Sequence, residues 1–294
     1  MSKMILHQQR CVWRLAIVLL VFISLVSGCN GNVTTAAVGT GGTGDTTTVV
    51  AGKVADGYLA NVTVFLDKNG NYQLDTGEPY TTTDANGSYT LIIDSLDVGK
   101  YPIVALAIKG VAIDKDNNQT IANSFVLSMP KDSVSGTVSN NFISPISTQL
   151  REMLETGIYT TPQQAADILR VKMGLPAGTD VTSDFVTANN NAMHVTAQNI
   201  ATLMGNQMGL VVGSNGTATT VEVNRYRGMI GTIFSNMSSI RGANVQAGMT
   251  NLNSTISAVL PNLPPTGVGQ PYLNMSTVFR GKMGMNKILE PYGR

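Results

Sequence analysis

The chain has 294 residues and a formal net charge of +1. This length allows two modest domains. The charge is near neutral and the basic residues form no stripe along the chain, so the sequence does not favour binding to nucleic acid. The two cysteines, Cys11 and Cys29, are too few for a thiolate zinc or iron–sulfur site, and the lack of a Cys-x-x-Cys-His motif excludes covalently bound haem. Composition therefore favours neither a nucleic-acid-binding protein nor a metal–thiolate or haem protein.

Residues 1–28 have the three parts of a secretory signal peptide: a basic start, a short apolar run and small residues before Cys29. The basic residues are Lys3, Arg10 and Arg14, and the apolar run spans 15–26. The run is too short to signal a mature membrane-spanning helix. Val26-Ser27-Gly28 before Cys29 resembles a bacterial lipobox, which implies cleavage there and attachment of lipid, with acyl chains such as palmitate, to the Cys29 sulfur. Loss of three basic residues with the leader would change the net charge to −2 and leave a single cysteine, hence no disulfide.

Residues 29–48 are predicted to form a flexible tether, because they are rich in Thr and Gly and show no periodicity. About 19 residues of such chain reach roughly 25 Å. We expect this tether to hold a folded body off the membrane that the lipid anchors it to. Asn30 differs from the acidic residue associated with inner-membrane retention in some bacteria. The expected location is therefore the outer membrane or the cell surface.

Residues 49–130 are predicted to form a small antiparallel β-sandwich. Short runs rich in β-branched and aromatic residues are separated by Asn/Asp/Gly turns, with no helical pattern between them. The predicted strands are 49–54, 62–66, 88–93, 101–108, 110–113 and 121–127.

Residues 140–262 are predicted to form an all-α domain, a helical bundle. Ser144 and Pro145 are typical of an N-cap and first helical residue, as are Thr161 and Pro162, where Gln164 completes a capping-box pattern. Further helices are predicted at 189–208, 219–237 and 245–260, with an irregular tail at 263–294. The fold class is thus multidomain, an all-β part followed by an all-α part.

The strongest chemical signal is the twelve-residue segment DKNGNYQLDTGE from Asp67 to Glu78. Oxygen-bearing side chains stand at positions 1, 3, 5, 9 and 12, the spacing by which an EF-hand-type loop wraps one calcium ion, with a backbone carbonyl at position 7. The predicted ligands are Asp67, Asn69, Asn71, Gln73, Asp75 and Glu78. Position 6 is Tyr72 where such loops have glycine, and a left-handed backbone there would cost about 1–2 kcal/mol. The pattern predicts a structural calcium site, and the alternative is a polar hairpin loop without metal.

The sequence around this loop resembles the SdrD B-like and carboxypeptidase-regulatory-like modules of bacterial surface proteins. The resemblance rests on residues 52–67, on the loop to Glu78-Pro79, and on the segment TTDANGSY at 82–89. It implies an Ig-like β-sandwich that binds calcium through the residues from Asp67 to Glu78 and acts as a stalk or spacer. Segments 143–148 and 175–180 resemble helical tails that follow such modules in bacterial lipoproteins, and no activity is implied for them.

Other titratable residues give weaker signals. Asp114, Asp116 and Asn117 would suit either a second cation or a solvated turn. His194, beside the apolar face of the third predicted helix, is the only histidine after the leader. It is expected to be structural, because a single histidine and no free cysteine in the mature chain leave nucleophilic sites without support. Arg225 and Arg227, near Glu222, are expected to lie on a solvated face.

The sequence therefore predicts a lipid-anchored cell-envelope or surface protein. Its calcium-braced sandwich would present a helical interaction domain to an unknown envelope or extracellular partner, without catalytic or organic-cofactor-binding residues. The alternative is an envelope hydrolase acting on glycan or peptide through paired carboxylates of the helical part, which would have to share a cleft. Those carboxylates are Asp167, Asp180, Asp184 and Glu222. A solute-binding lipoprotein is the third possibility, but the α/β lobes usual for that class have no signal in the sequence.

Overall fold

The computed structural model describes residues 47–136, 141–212 and 220–263, together with the backbone of a short antiparallel strand pair, Leu273–Asn274 with Glu290–Pro291. Strands come first and helices follow, which gives a mixed β and α architecture in two parts. The predicted signal peptide, Cys29 and nearly all of the predicted tether lie outside the described residues, as does most of the predicted tail. No helix of the described part is both long enough and apolar enough to cross a membrane.

Apart from that strand pair, the described strands form three small sheets with the orders β10-β1-β5, β4-β3-β6-β9 and β2-β7-β8. Their bounds are β1 Thr47–Val54, β2 Leu59–Ala60, β3 Thr63–Leu66, β4 Tyr80–Thr82, β5 Ser88–Asp94, β6 Ile103–Ala107, β7 Ile113–Asp114, β8 Gln119–Thr120, β9 Phe125–Met129 and β10 Asn141–Ile143. The pairings among β1 to β9 are all antiparallel, as predicted for residues 49–130. The strand β10, in the part predicted to be all-α, pairs with β1 in parallel. A β-carbon on Gly52 of β1 would lie 1.8 Å from the carbonyl oxygen of its partner Asn141, so this close pairing requires glycine.

Five α-helices follow the strands in the described residues. Their bounds are α1 Pro145–Glu155, α2 Pro162–Lys172, α3 Asn191–Val211, α4 Val223–Ser235 and α5 Gln246–Val259. The predicted caps of α1 and α2 are confirmed, since Ser144 accepts from the Ser147 amide and Thr161 accepts from the Gln164 amide. The Gln164 side chain accepts from the Thr160 amide, one residue before the cap, so the predicted capping box of α2 is not closed.

The strands β6 and β9 of the second sheet are covered on both faces, whereas β5 of the first sheet is covered on one. Side chains of β5 alternate between buried and accessible, but every residue of β6 and β9 is buried. Residues of β9 contact α1, α3 and β10. Strands covered on both faces are typically unbroken apolar runs, which explains the sequence IVALA of β6. Strands and helices share one hydrophobic core, to which Phe65, Leu106, Leu150 and Phe234 all belong.

Candidate functional site

The predicted calcium loop, residues 67–78, connects β3 to β4 and is closed by its own side chains. Asp67 Oδ1 accepts from the amide of Asn71 at 3.1 Å, and Asp67 Oδ2 accepts from the amide of Tyr72 at 3.2 Å. Asn69 Oδ1 accepts from the Asn71 amide, and Asn71 Oδ1 accepts from the Gln73 amide. Because each of these contacts closes a tight turn, residues 67, 69 and 71 turn their oxygens towards the loop interior.

Three of the predicted ligands, Asn69, Asn71 and Asp75, contact one another within the loop. The Nδ2 atoms of Asn69 and Asn71 donate to Asp75 Oδ2 at 2.7 and 2.8 Å. The carboxylate of Glu78 closes the loop, since its Oε1 accepts from the Lys68 amide at 2.7 Å and its Oε2 from the Asp75 amide at 3.0 Å. The structure therefore brings together the side chains at positions 3, 5 and 9, and the position-12 carboxylate closes the loop through backbone amides.

Tyr72 has a left-handed backbone, with φ of 62°, the conformation usual for glycine at position 6 of such a loop. Its side chain makes contacts that were not predicted from the sequence. Its ring is fully buried, 4.0 Å from the guanidinium carbon of Arg151 and 4.5 Å from the ring of Tyr226. Its hydroxyl donates to Glu152. Tyr72 thus inserts the loop between α1, which carries Arg151 and Glu152, and α4, which carries Tyr226.

A buried group of charged residues continues this contact. Arg151, with a side chain 0% exposed, donates to Asp67 Oδ2 at 3.0 Å and to Glu155 Oε1 at 2.7 Å. Arg227 of α4 pairs with Glu155 and lies 3.6 Å from the carboxylate of Glu152. The prediction of a solvated Arg227 is therefore wrong, because α4 turns this residue into the interface with α1. We call these five residues, Asp67, Arg151, Glu152, Glu155 and Arg227, the buried ion network.

The ion network holds three carboxylates against two guanidinium groups, and their pKa values separate. Burial raises the pKa of Glu152. Burial alone would also raise the pKa of Glu155, but the positive charges of Arg151 and Arg227 lower it. Glu155 therefore stays ionised while Glu152 takes up a proton more readily. This network was not predicted from the sequence, because charged residues on an amphipathic helix are ordinarily solvated.

The donor chemistry of the loop fits calcium. Carboxylate, amide and carbonyl oxygens are the ligands of this ion, and the loop offers all three kinds. Within the residues described, no three or more His, Cys, Asp or Glu side chains form a group that would hold a metal, so amide and carbonyl oxygens would have to complete the set. Asp67 Oδ1 accepts a single hydrogen bond and retains a lone pair for an ion. The side chain of Gln73 donates to the carbonyl of Val221 at 3.3 Å, which leaves its own backbone carbonyl as the position-7 ligand.

The carboxylates of the alternative hydrolase do not meet in one cleft. Asp167 lies on α2, half-exposed, 3.6 Å from Arg170. Asp180 and Asp184 line a groove of about 700 Å³ against β1 and β5. Glu222 immediately precedes α4 and does not line that groove. Of these four carboxylates, Asp180 and Asp184 line this groove, and Asp167 and Glu222 do not.

The second candidate cation segment is tied to α3. Asp116 Oδ2 lies 2.8 Å from His194 Nε2 and accepts from the side chain of Gln198 at 2.8 Å. Asp114 accepts from the Asp116 amide and from the side chain of Asn117. His194 of α3 thus binds the Asp116 carboxylate of the β part, which agrees with the structural role predicted for this histidine.

Comparisons with known proteins add no relative from which a function can be transferred. Searches of protein-family models, curated proteins and solved structures each found no match. The function is therefore inferred from the residues of the site.

Proposed function

We propose that this chain is a lipid-anchored cell-envelope protein in which a calcium-braced β part presents the helices to a binding partner. The observation that supports it best is the contact of loop 67–78 with α1 and α4 through Tyr72 and Arg151. The leader and Cys29 support the anchoring. The protein would act by placing a surface rather than by turnover.

The β part is proposed to be an Ig-like sandwich, as the sequence resemblance implies. The sheets β10-β1-β5 and β4-β3-β6-β9 would be its two halves, and contacts of β5 with β3 and β4 support their packing on one another. Inward side chains such as Leu91 and Val104 belong to the shared core. Helices α1 and α3 then cover the outer face of the second sheet, which makes loop 67–78 a connection between the sandwich and the helices.

Calcium would act by fixing the loop that carries Tyr72. Asn69, Asn71, Asp75 and Glu78 would hold the ion together with Asp67 and the carbonyl of Gln73. The ion would compensate the negative charge of the Asp75 and Glu78 carboxylates. A fixed loop keeps Tyr72 between α1 and α4. The position of the helices relative to the strands would then depend on calcium.

Calcium titration by calorimetry tests this function, on the chain without its leader and with Cys29→Ser. We expect one ion bound at the loop, and a rise in melting temperature, because a ligand at about 100 times Kd adds about 2.7 kcal/mol to the free energy of unfolding. Asp75→Asn should abolish this binding, since it removes a carboxylate that accepts from Asn69 and Asn71 without disturbing the buried Asp67–Arg151 pair.

Asp84→Asn is the matched control, because Asp84 also closes a turn through backbone amides but lies outside the loop. It should bind calcium as the parent chain does. If Asp75→Asn and Asp84→Asn bind calcium equally, the loop is not the site.

Anchoring is tested by detergent-phase partition of the chain expressed in bacteria with its leader. The parent chain should partition into the detergent phase and Cys29→Ser into the aqueous phase, because several acyl chains bind a membrane firmly whereas the polypeptide offers no described span. Equal partition of both would contradict lipid attachment at Cys29.

A further inference from the structure

Three exposed apolar side chains lie at one end of the first sheet. Among the described residues, seven large apolar side chains are exposed, and three of these are Val49 of β1, Ile92 of β5 and Leu96, which follows β5 by two residues. They are 41%, 61% and 69% exposed. Single apolar residues on a surface are ordinary, whereas a group of them marks a contact surface. We call these three residues the apolar end patch.

The register of β1 and β5 places two of these side chains side by side. Val49 and Ile92 are directly paired across the antiparallel strands, so their side chains lie on the same face of the sheet. This face is turned to solvent at Ile92, since its neighbours Leu91 and Ile93 are buried. The pair therefore forms one exposed apolar spot on the outer face.

Leu96 is held outside the strand by an ordered turn. It lies in a short 3-10 turn at residues 95–97, where Asp94 Oδ1 accepts from the Leu96 amide at 2.8 Å. Asp97 of the same turn pairs with Lys68 at 2.8 Å. Strand propensity can explain exposed β-branched residues on β1 and β5, but it does not apply to a leucine in a turn. Leu96 is therefore the member of the patch whose exposure most strongly indicates a contact.

The charges beside the patch are balanced. Asp94 and Asp97 lie on either side of Leu96 in the chain, and Lys68 pairs with Asp97. The amide of Lys100 donates to the Asp97 carbonyl at 3.1 Å, which brings a second positive charge to this turn. A strong field of one sign would select an oppositely charged partner. The balanced charge selects neither an acidic nor a basic partner and does not oppose contact with an uncharged apolar phase.

The patch lies where the chain from Cys29 enters the described structure. β1 begins at Thr47, which pairs with Asp94, two residues before Leu96. Only residues 30–46 separate Cys29 from Thr47, and a chain of that length spans at most about 60 Å when fully extended. A linker of this kind gives the second contact a high effective concentration, so a patch too small to bind a membrane by itself can bind once the chain is anchored.

We propose that the apolar end patch rests on the lipid surface to which Cys29 is anchored, with Leu96 at the boundary between headgroups and acyl chains. The inference rests on the lipid attachment of the proposed function and adds an orientation to it, because this end of the first sheet faces the membrane. Residues 29–48 then keep the β part close to the membrane instead of holding it away. No residue of the patch belongs to an α-helix, so the helices stay available to a partner.

A single tryptophan at position 96 tests the contact. From Cys29 onwards the chain has no tryptophan and one cysteine, because Trp13 and Cys11 belong to the leader. Coupling Cys29 to a maleimide-headgroup lipid in phosphatidylcholine vesicles therefore anchors the chain at one known position. We expect the emission of Leu96→Trp to shift to shorter wavelength on anchoring and to be quenched by brominated acyl chains.

Val171→Trp, on α2, is the matched control, because Val171 is 61% exposed and lies outside the patch. Its emission should stay at long wavelength and unquenched on the same vesicles. Adding Ile92→Ser to Leu96→Trp should reduce the quenching, and circular dichroism with melting checks that each variant is folded. Leu96→Trp that is quenched no more than Val171→Trp would overturn the inference.

Sedimentation of the unanchored chain tests a second copy of the chain as the occupant of the patch. We expect monomers, and dimers that Leu96→Ser dissociates would overturn the membrane contact. Chemical coupling separates this inference from the proposed function. An unquenched Leu96→Trp overturns the orientation while lipid attachment stands, whereas equal detergent partition of the parent chain and Cys29→Ser overturns the attachment itself.

Discussion

Arg151→Met is expected to lower the free energy of unfolding by about 3–5 kcal/mol in chemical denaturation. Arg151 is fully buried and compensates Asp67 and Glu155, while its guanidinium covers the ring of Tyr72. Methionine fills much of the space but supplies no charge. Asp67, whose side chain is 0% exposed, would then be a buried carboxylate without its cation. Removal of one partner of a buried ion pair costs far more stability than the intact pair contributes, because the other charge is left buried and uncompensated.

Lys131→Met is the matched control for this prediction. Lys131 pairs with Asp132 at 2.7 Å, but both side chains are exposed, and exposed pairs contribute about 0–1 kcal/mol. Adding Asp67→Asn to Arg151→Met should recover part of the loss, because the orphaned charge is removed, and the double-mutant cycle then gives the coupling energy of the pair. Equal effects of Arg151→Met and Lys131→Met would contradict a buried ion network.

Tyr72→Gly is expected to destabilise the protein by about 1–4 kcal/mol, although glycine is the usual residue at this position of a calcium loop. Loss of a buried aromatic ring costs about 3–5 kcal/mol. Relief of the left-handed backbone, with φ of 62°, returns about 1–2 kcal/mol. The packing between Arg151 and Tyr226 therefore outweighs the backbone strain. Thermal and chemical unfolding of the calcium-free chain measure the net effect.

Tyr72→Phe separates the ring from the hydroxyl. It keeps the packing and the backbone but removes the hydrogen bond to Glu152, which should cost about 1–3 kcal/mol because a buried acceptor loses its donor. The expected order of stability is parent, then Tyr72→Phe, then Tyr72→Gly. A Tyr72→Gly chain more stable than the parent would mean that the tyrosine strains the loop without anchoring it.

Much of the local structure was predictable because its signals are local. The predicted strand at 88–93 matches β5, and the predicted helix starts at Pro145 and Pro162 are confirmed, since a cap and a proline act within one turn. The strand β10 was missed, because it has three residues and depends on pairing in parallel with β1, some 90 positions earlier. The change from strands to helices at Ser144 could be seen in the sequence, whereas the packing of the helices on the strands could not.

The calcium loop was likewise predictable from the sequence where its features are local, and its contacts with distant residues were not. The spacing of oxygen side chains and the left-handed Tyr72 follow from twelve consecutive residues. The contact of Tyr72 with Glu152 joins residues 80 positions apart and depends on how α1 packs. Because α1 is buried on all sides from Pro145 to Met153, its charged residues occupy the interior instead of a solvated face. The unbroken apolar run of β6 was the available signal that helices cover the second sheet.

Hydrogen–deuterium exchange with and without calcium tests most directly whether the ion braces the loop and the helices as one unit. We predict that calcium slows exchange of the Asn71 and Tyr72 amides, which donate to Asp67, together with amides of α1, and that Asp75→Asn removes both effects. Exchange that is unchanged by calcium, or that slows in the loop while α1 stays the same, would contradict a calcium-braced connection between the strands and the helices.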